Sequence, residues 1–291
     1  ISLFYYSLVP TGELQAPKSG VHPELIRWAQ ERGVTVWATV GGTPPVLPGA
    51  FIGDAGDRAV AGLVAACERH GFDGIDLDLE GINRSARTAY TAFVRKLAAA
   101  LHGCARPRRL AVTVQDFPSA EDEATMAFDC SALGEAADEV RVMCYDYSYD
   151  KPGPLMPRQW YCDILAFAGS RIPPGKFIAA LPWYGRDWAG AGPDHEDLLH
   201  GQREARTGIA GYLELLARHR VEPVWDEEGG EYWFTYERGG VPHTVWFPEH
   251  RKFAWMAREA VAAGAAGLYA WHLAYTDPAS WDVVRVVRTP R

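Results

Sequence analysis

Three carboxylates alternate with three aliphatic residues near the middle of the N-terminal half: Asp76, Asp78 and Glu80 against Ile75, Leu77 and Leu79, in the run DGIDLDLE over 73–80. Successive side chains of a strand point to opposite faces, so the aliphatic set packs on one side and the acids project together on the other. Three chemistries fit such a row. It can be the solvated face of an edge strand, a divalent-cation site built from oxygen ligands, or an acid catalyst. In the last case the crowding of like charges lifts one carboxyl pKa, so that a proton is available near neutrality. Glu80 stands last and has the longest side chain, which makes it the natural proton donor. If the strand is central, burying three acids for packing alone would cost several kcal/mol each.

The rest of the composition narrows the field. The chain has 291 residues, 48% of them hydrophobic and 23% charged, which excludes disorder and leaves ample material for one large core. A net charge of -8 argues against a nucleic-acid partner, and no uncharged apolar run is long enough to span a bilayer. The five cysteines, Cys67, Cys104, Cys130, Cys144 and Cys162, stand singly with no zinc spacing and read as small buried apolar residues. His70, His243 and His272 have no triad or metal pattern around them. No metal and no cofactor is therefore expected. The 11 Trp and 13 Tyr suit stacking on sugar faces, although such rings also fill cores.

The elements that must position the acids alternate along the chain. Strands are expected at 1–7, 34–40, 72–80, 109–115, 139–147, 175–185 and 266–273, and helices at 23–32, 57–70, 84–102 and 157–169. Strands separated by helices mean parallel βαβ units, and the absence of a nucleotide-binding fingerprint favours a (β/α) barrel over an open sheet. Seven strands are visible where a barrel needs eight. The missing one either hides in a loop or lies upstream of Ile1. The chain begins without an initiator Met or signal peptide and reads as processed or trimmed. The connection 186–264 holds a helix at 211–220 and a hairpin turning at Gly239-Gly240. The expected organisation is one barrel domain over 1–291 with a small insertion at 186–264.

DGIDLDLE closely resembles the D-G-x-D-x-D-x-E signature of glycoside hydrolase family 18, the chitinase-like barrels. TVGG (39–42), MCYDY (143–147), LPWYGRDW (181–188) and GLYAWHL (267–273) resemble, in order, the motifs of that family's third, sixth, seventh and eighth strands. The resemblance covers essentially the whole chain and implies an α/β fold, a (β/α)8 TIM barrel, whose first strand would lie upstream of Ile1. The short insertion and FYYSLVPTGEL are similar to the spore-cortex and peptidoglycan-active N-acetylglucosaminidase branch.

What the resemblance implies for mechanism is retaining hydrolysis of β-1,4 linkages after N-acetylglucosamine, in peptidoglycan, cortex or chitin oligomers, with the substrate's own acetamido oxygen as nucleophile. By position, Glu80 would protonate the glycosidic oxygen, Asp78 would orient the acetamido N–H, and Asp76 would tune Asp78. Tyr145 would donate to the acetamido oxygen, Asp146 would bind sugar or cluster, and Trp271 would form the floor. Met143, Tyr184, Tyr6 and Gln115 complete the expected substrate contacts. By strand alternation only one of Tyr145 and Asp146 should face inward. Leu79 stands where chitinases usually carry Trp, Thr39 replaces Ser, and Gln115-Asp116 departs from the family's usual small or apolar residues. The expected partner is an N-acetylglucosamine polysaccharide met by a monomer outside the cell, at the wall or spore, with wall-binding modules upstream. The alternative from another class is a non-catalytic sugar-binding lectin on the same barrel. Retention of Glu80, Asp78 and Tyr145 favours the enzyme.

Overall fold

Entering a parallel strand requires a partner for each backbone N–H, and carboxylates supply two of them here. The Asp73 side chain accepts from the backbone N–H of Val36 at 2.8 Å and from Gln30 Nε2 at 2.9 Å. Asp138 accepts from the N–H of Leu110 at 2.8 Å. Each thus ties the start of its own strand to that of the neighbour.

The computed structural model describes residues 1–42, 48–190, 195–197, 209–273 and 279–282. They fall into two compact units, Ile1–Val142 with Phe167–Ile178, and Met143–Ala166 with Ala179–Arg291. The first unit is built from β1 (Ser2–Leu8), β2 (Leu14–Gln15), α1 (Pro23–Gln30), β3 (Trp37–Gly42), α2 (Gly53–His70), β4 (Gly74–Asp78), α3 (Arg87–His102), β5 (Arg109–Val114), α4 (Ala120–Thr125), α5 (Cys130–Ala136) and β6 (Glu139–Met143). Strands β1, β3, β4, β5 and β6 are parallel neighbours in that order. The short β2 pairs antiparallel with the end of β1. Ile75, Leu77, Val112 and Val140 are fully buried, as are Leu63, Val94 and Leu97 of the covering helices.

The sheet of this unit is curled. Arg141 on β6 donates from one nitrogen to Ser2 Oγ on β1 at 2.7 Å and to Asp76 on β4 at 2.8 Å. Four inter-strand spacings of about 4.8 Å separate β1 from β6 along a flat sheet, which is beyond the reach of one side chain. Curling brings the two strands within that reach, as strand closure into a barrel demands.

α6 (Arg158–Arg171) and β7 (Phe177–Pro182) run across the division between the units. The second unit continues with β8 (Arg186–Ala189), β9 (His195–Asp197), α7 (Ile209–His219), β10 (Val224–Asp226), β11 (Glu231–Arg238), β12 (Val241–Phe247), α8 (His250–Ala262) and β13 (Gly267–Trp271). Past the end of β7 the N–H of Trp183 donates to the carbonyl of Trp271 at 2.6 Å. Between β7 and β13 lies an antiparallel sheet in the order β10-β11-β12-β8-β9. Its hairpin turns at Gly239 and Gly240, both at positive φ (63° and 80°), as a two-residue turn matched to strand twist requires. Tyr212, Phe234, Tyr236, Val245 and Phe247 form the core under it.

All seven expected strands are present, most with shorter or shifted bounds, and two of the differences have a local cause. β3 begins at Trp37 rather than at 34, because the chain leaving α1 is still turning: the N–H of Val34 bonds Ala29 and that of Val36 bonds Asp73. β6 ends at Met143 rather than at 147, because Asp146 takes a left-handed conformation with φ 73°. The five thiols are all free, with Cys67, Cys130 and Cys144 buried and Cys104 and Cys162 half-buried.

Gly74 opens β4 where a Cβ would stand 2.6 Å from both the Arg109 carbonyl oxygen and the Trp37 ring. Gly74→Ala is therefore expected to destabilise the fold by about 1–3 kcal/mol, read as a lower midpoint in urea with an unchanged slope. An unshifted midpoint would mean that the approach is looser than the distances imply.

Candidate active site

Asp76 lies at the centre of the first unit's polar interior. It is 1% exposed. Its Oδ2 accepts from Thr39 Oγ1 at 3.2 Å and Arg141 at 2.8 Å, and its Oδ1 from Thr113 Oγ1 at 2.9 Å. The partners come from the strands on either side: Thr39 is paired with Asp76 across β3–β4, and Thr113 with Arg141 across β5–β6. Arg141 is further held by Glu139, at 2.8 and 3.1 Å, and lies over the Trp37 ring at 4.8 Å. This is a buried charge with a full set of donors, the condition under which a buried carboxylate is tolerated.

Asp78, one step further along β4, lacks that provision. Its Oδ1 is buried with no hydrogen-bond partner among the described residues. Burial pushes its pKa up to about 8, helped by the neighbouring charges of Asp76 and Glu80 and opposed by Arg141. The two carboxylates on one strand thus differ in kind. Asp76 is supplied with donors, while Asp78 is placed to hold a proton near neutrality. Glu80 lies just beyond the strand and is exposed, whereas the intervening Leu79 is 1% exposed. The reading of an edge strand with a solvated face is excluded, since β4 is paired on both sides. Gln115 is half-buried one residue beyond β5.

The second unit gathers a second set. Tyr145 and Tyr184 meet edge to face with ring centroids 5.9 Å apart, in a cluster with Leu155, Ala180 and Trp188 against which Met143, Tyr269 and Trp271 pack. Tyr184 donates its hydroxyl to Asp146, and Arg186 pairs with the same carboxylate at 2.9 Å. Burial raises the Tyr184 hydroxyl pKa well above its ordinary value, with Asp146 adding to the shift, so it stays a donor.

Three expectations are corrected here. Alternation does not choose between Tyr145 and Asp146, because β6 has already ended and both reach Tyr184. Tyr184 offers no open face to a ligand: at 2% exposure it stands behind Asp146 as its donor. Tyr6 is not among the acids. A register irregularity between β1 and β3 at Phe4/Tyr6 accompanies its placement in a pocket lined by Glu13, Leu14, Arg58, Ala66 and Arg69.

Some functional neighbours escaped the sequence reading. Arg141 and Thr113 did, although a lone arginine in the apolar strand EVRVM was a signal. His243, read as isolated, bonds Asp187 at 2.8 Å within a buried set that includes the Tyr236 hydroxyl. Among the described residues no group of three or more His, Cys, Asp or Glu converges as metal ligands, and no helix is long and apolar enough to cross a membrane.

The geometry is thus a parallel βαβ sheet curled around a fully hydrogen-bonded aspartate, with a second buried aspartate one step along β4 and an exposed glutamate past the strand's end. Residues 12–276 match glycosyl hydrolases family 18, and the chain belongs to that family. It is accordingly a glycoside hydrolase of the (β/α)8 barrel class. Among solved structures it is similar to a chitinase from Chromobacterium violaceum (27% identity, TM-score 0.87, covering 100% of this chain and 91% of that one). It shares its fold with the spore cortex-lytic enzyme SleL of Bacillus cereus (19% identity, TM-score 0.81, 99% and 67%). In sequence it is similar to an uncharacterized glycosylase, YvbX, of Bacillus subtilis (22% identity, 89% of this chain and 77% of the relative). It is also similar to the cortical fragment-lytic enzyme of Bacillus anthracis (24% identity, 78% of this chain). The chain spans about half the length of that last relative, 52% of it.

The raised Asp78 pKa fixes a sign for stability. A folded pKa near 8 against an unfolded value of 3.8 means that the native state holds the extra proton between those limits. Its contribution is complete below about pH 4 and is lost as pH rises through 8. Asp78→Asn, which cannot ionise, should gain on the wild type as pH goes from 5 to 9, by up to about 4 kcal/mol in urea titrations. A pH-independent difference would remove the proton from Asp78.

Proposed function

We propose that the protein is a retaining hydrolase that cleaves β-1,4 linkages after N-acetylglucosamine in peptidoglycan, spore cortex or chitin oligomers, by substrate-assisted catalysis. Residues 1–291 act as one catalytic domain, with 186–264 as an insertion in it. The observation that carries this reading is the inequality of the acids along β4 and just past its end: a fully hydrogen-bonded Asp76, an Asp78 whose buried Oδ1 has no hydrogen-bond partner among the described residues, and an exposed Glu80. Relatives named as chitinase and cortex-lytic enzymes support the substrate class and, with it, a location outside the cell at the wall or spore.

In this reading Glu80 donates its proton to the glycosidic oxygen as that bond breaks. The acetamido oxygen of the same sugar attacks the anomeric carbon, forming an oxazolinium ion. Two-carboxylate glycosidases use a protein nucleophile at this step; here the nucleophile is intramolecular and its effective concentration is high. Asp78 faces the acetamido N–H and, as positive charge develops on the ring, passes its proton to Asp76, so that the Asp78 carboxylate accepts the N–H and stabilises the cation. Asp76, anchored by Arg141, shares that proton with Asp78 and so tunes it. Tyr145 donates its hydroxyl to the acetamido oxygen. Asp146, fixed by Tyr184 and Arg186, binds the sugar, and Trp271 underlies the ring. Glu80, now an anion, activates the water that opens the oxazolinium, so configuration is retained.

Glu80→Gln should lower kcat on chitin oligomers or cortex fragments by about 10²–10⁴-fold while binding survives. A thiazoline analogue of N-acetylglucosamine should inhibit the wild type, and the first product seen by NMR should be the β anomer. Unchanged turnover in the variant would remove Glu80 as the acid, and an α product would remove retention. Binding of oligomers by a wild type that turns over neither substrate would leave the barrel a lectin.

A further inference from the structure

The most completely buried ion pair of the second unit lies outside the residues that touch substrate in the proposed mechanism. Glu231, at the start of β11, is 0% exposed and Lys252 on α8 is 2% exposed. Their charges are 3.8 Å apart. Both bond the dipeptide Leu155–Met156. Glu231 accepts the backbone N–H of Leu155 at Oε2 and that of Met156 at Oε1, each at 3.0 Å. Lys252 donates to the carbonyl of Met156 at 2.7 Å and to that of Gly229. Burial brings the Lys252 pKa down to about 8, while Glu231 and Asp226 hold it up against Arg158, so it is charged near neutrality.

The gripped dipeptide touches the MCYDY segment twice. The Leu155 side chain, fully buried, packs in the cluster of Tyr145, Tyr184 and Trp188. The Leu155 carbonyl accepts the N–H of Tyr147 at 3.0 Å. Between those two contacts lies Asp146, a non-glycine residue at φ 73°, a conformation that L side chains avoid and that surroundings must impose. A buried ion pair is weak support for stability, because an apolar pair of similar volume does as well. What an apolar pair cannot do is hold three backbone groups of one dipeptide at fixed positions.

We propose that Glu231 and Lys252 are positioning residues for Tyr145, acting through Leu155–Met156 to hold its hydroxyl where the reaction needs it. This rests on the reading of Tyr145 as the donor to the acetamido oxygen. It gives the insertion, which supplies Glu231, a role in the chemistry as well as in the fold. A misplacement of about 1 Å at a reacting group costs up to 10²-fold in rate.

The test is a double-mutant cycle on the full chain with chitopentaose and purified cortex fragments as substrates. Glu231→Gln turns an acceptor into a donor against the Met156 N–H. It should lower kcat by about 10–100-fold with KM changed less than about 3-fold, at temperatures well below thermal unfolding. In a Tyr145→Phe background, where there is no hydroxyl left to place, the same substitution should cost less than about 3-fold more. Lys252→Met should show the same pattern and serves if Glu231→Gln does not fold. Where the Tyr145→Phe rate is too low to measure, the cycle is read in the Kd of the N-acetylglucosamine thiazoline, which needs no turnover. An undiminished loss in the Tyr145→Phe background, or a lower Tm with kcat unchanged, would overturn the proposal and leave the pair a structural staple. A wild type that hydrolyses neither substrate would instead overturn the functional reading, and the positioning role with it.

Discussion

The interior of the first unit depends on compensating one buried anion. Asp76 sits on a central strand with almost no exposed surface, and water is not there to solvate it. An unpaired carboxylate in that place would cost several kcal/mol or take up a proton. The chain answers with two threonine hydroxyls from the adjoining strands and a guanidinium from the strand beyond, itself neutralised by Glu139. Because Arg141 also binds Ser2 on β1, the same network that satisfies Asp76 draws β1 and β6 together. Electrostatic compensation and the curl of the sheet are therefore one constraint.

That constraint explains why two aspartates two residues apart differ in their surroundings. The donors from β3, β5 and β6 converge on Asp76, while Asp78 Oδ1 is buried without a hydrogen-bond partner among the described residues, and the neighbouring Asp76 adds to the desolvation of Asp78. No special apolar pocket is needed to raise the second pKa; it follows from leaving the next rung of the strand unprovided. Arg141 opposes the shift and does not cancel it. The gradient ends at Glu80, which is past the strand and in contact with solvent, where a group that must both give and recover a proton can exchange it.

Much of this was legible in the sequence because period-two alternation is unforgiving. DGIDLDLE admits one division into faces, and the strands and helices that flank it carry clear periodicity. The hairpin at Gly239-Gly240 was legible for a similar reason, since few residues adopt two successive positive φ angles. What stayed hidden were relations between strands. Nothing local in RLAVTV or EVRVM shows that Thr113 and Arg141 point at Asp76; that depends on register, which long-range pairing sets. The end of β6 was misjudged because MCYDY is a good strand by composition, and the turn at Asp146 is imposed by contacts from Leu155 and Tyr184 far along the chain. Short helices such as α4 and α5 lack the length over which a helical period can be recognised.

The second unit solves a different problem with similar means. Asp146 is half-buried, and its carboxylate is fixed by a tyrosine hydroxyl and by Arg186, whose guanidinium lies 4.4 Å over the Tyr149 ring. Arg186 opens β8 and Glu231 opens β11, so the inserted sheet supplies one charged residue to Asp146 and another to the dipeptide that contacts Tyr145. An insertion that only narrowed a groove would need apolar and hydrogen-bonding residues on its outer face. Buried charges directed at the backbone and carboxylate of a neighbouring loop do something else: they restrict that loop to one conformation. The aromatic core beneath the inserted sheet, Tyr212, Phe234, Tyr236, Val245 and Phe247, makes the support rigid. On this argument the length and sequence of the insertion are constrained by the loop after β6 as much as by the polysaccharide, and relatives with a different insertion must hold that loop by other contacts.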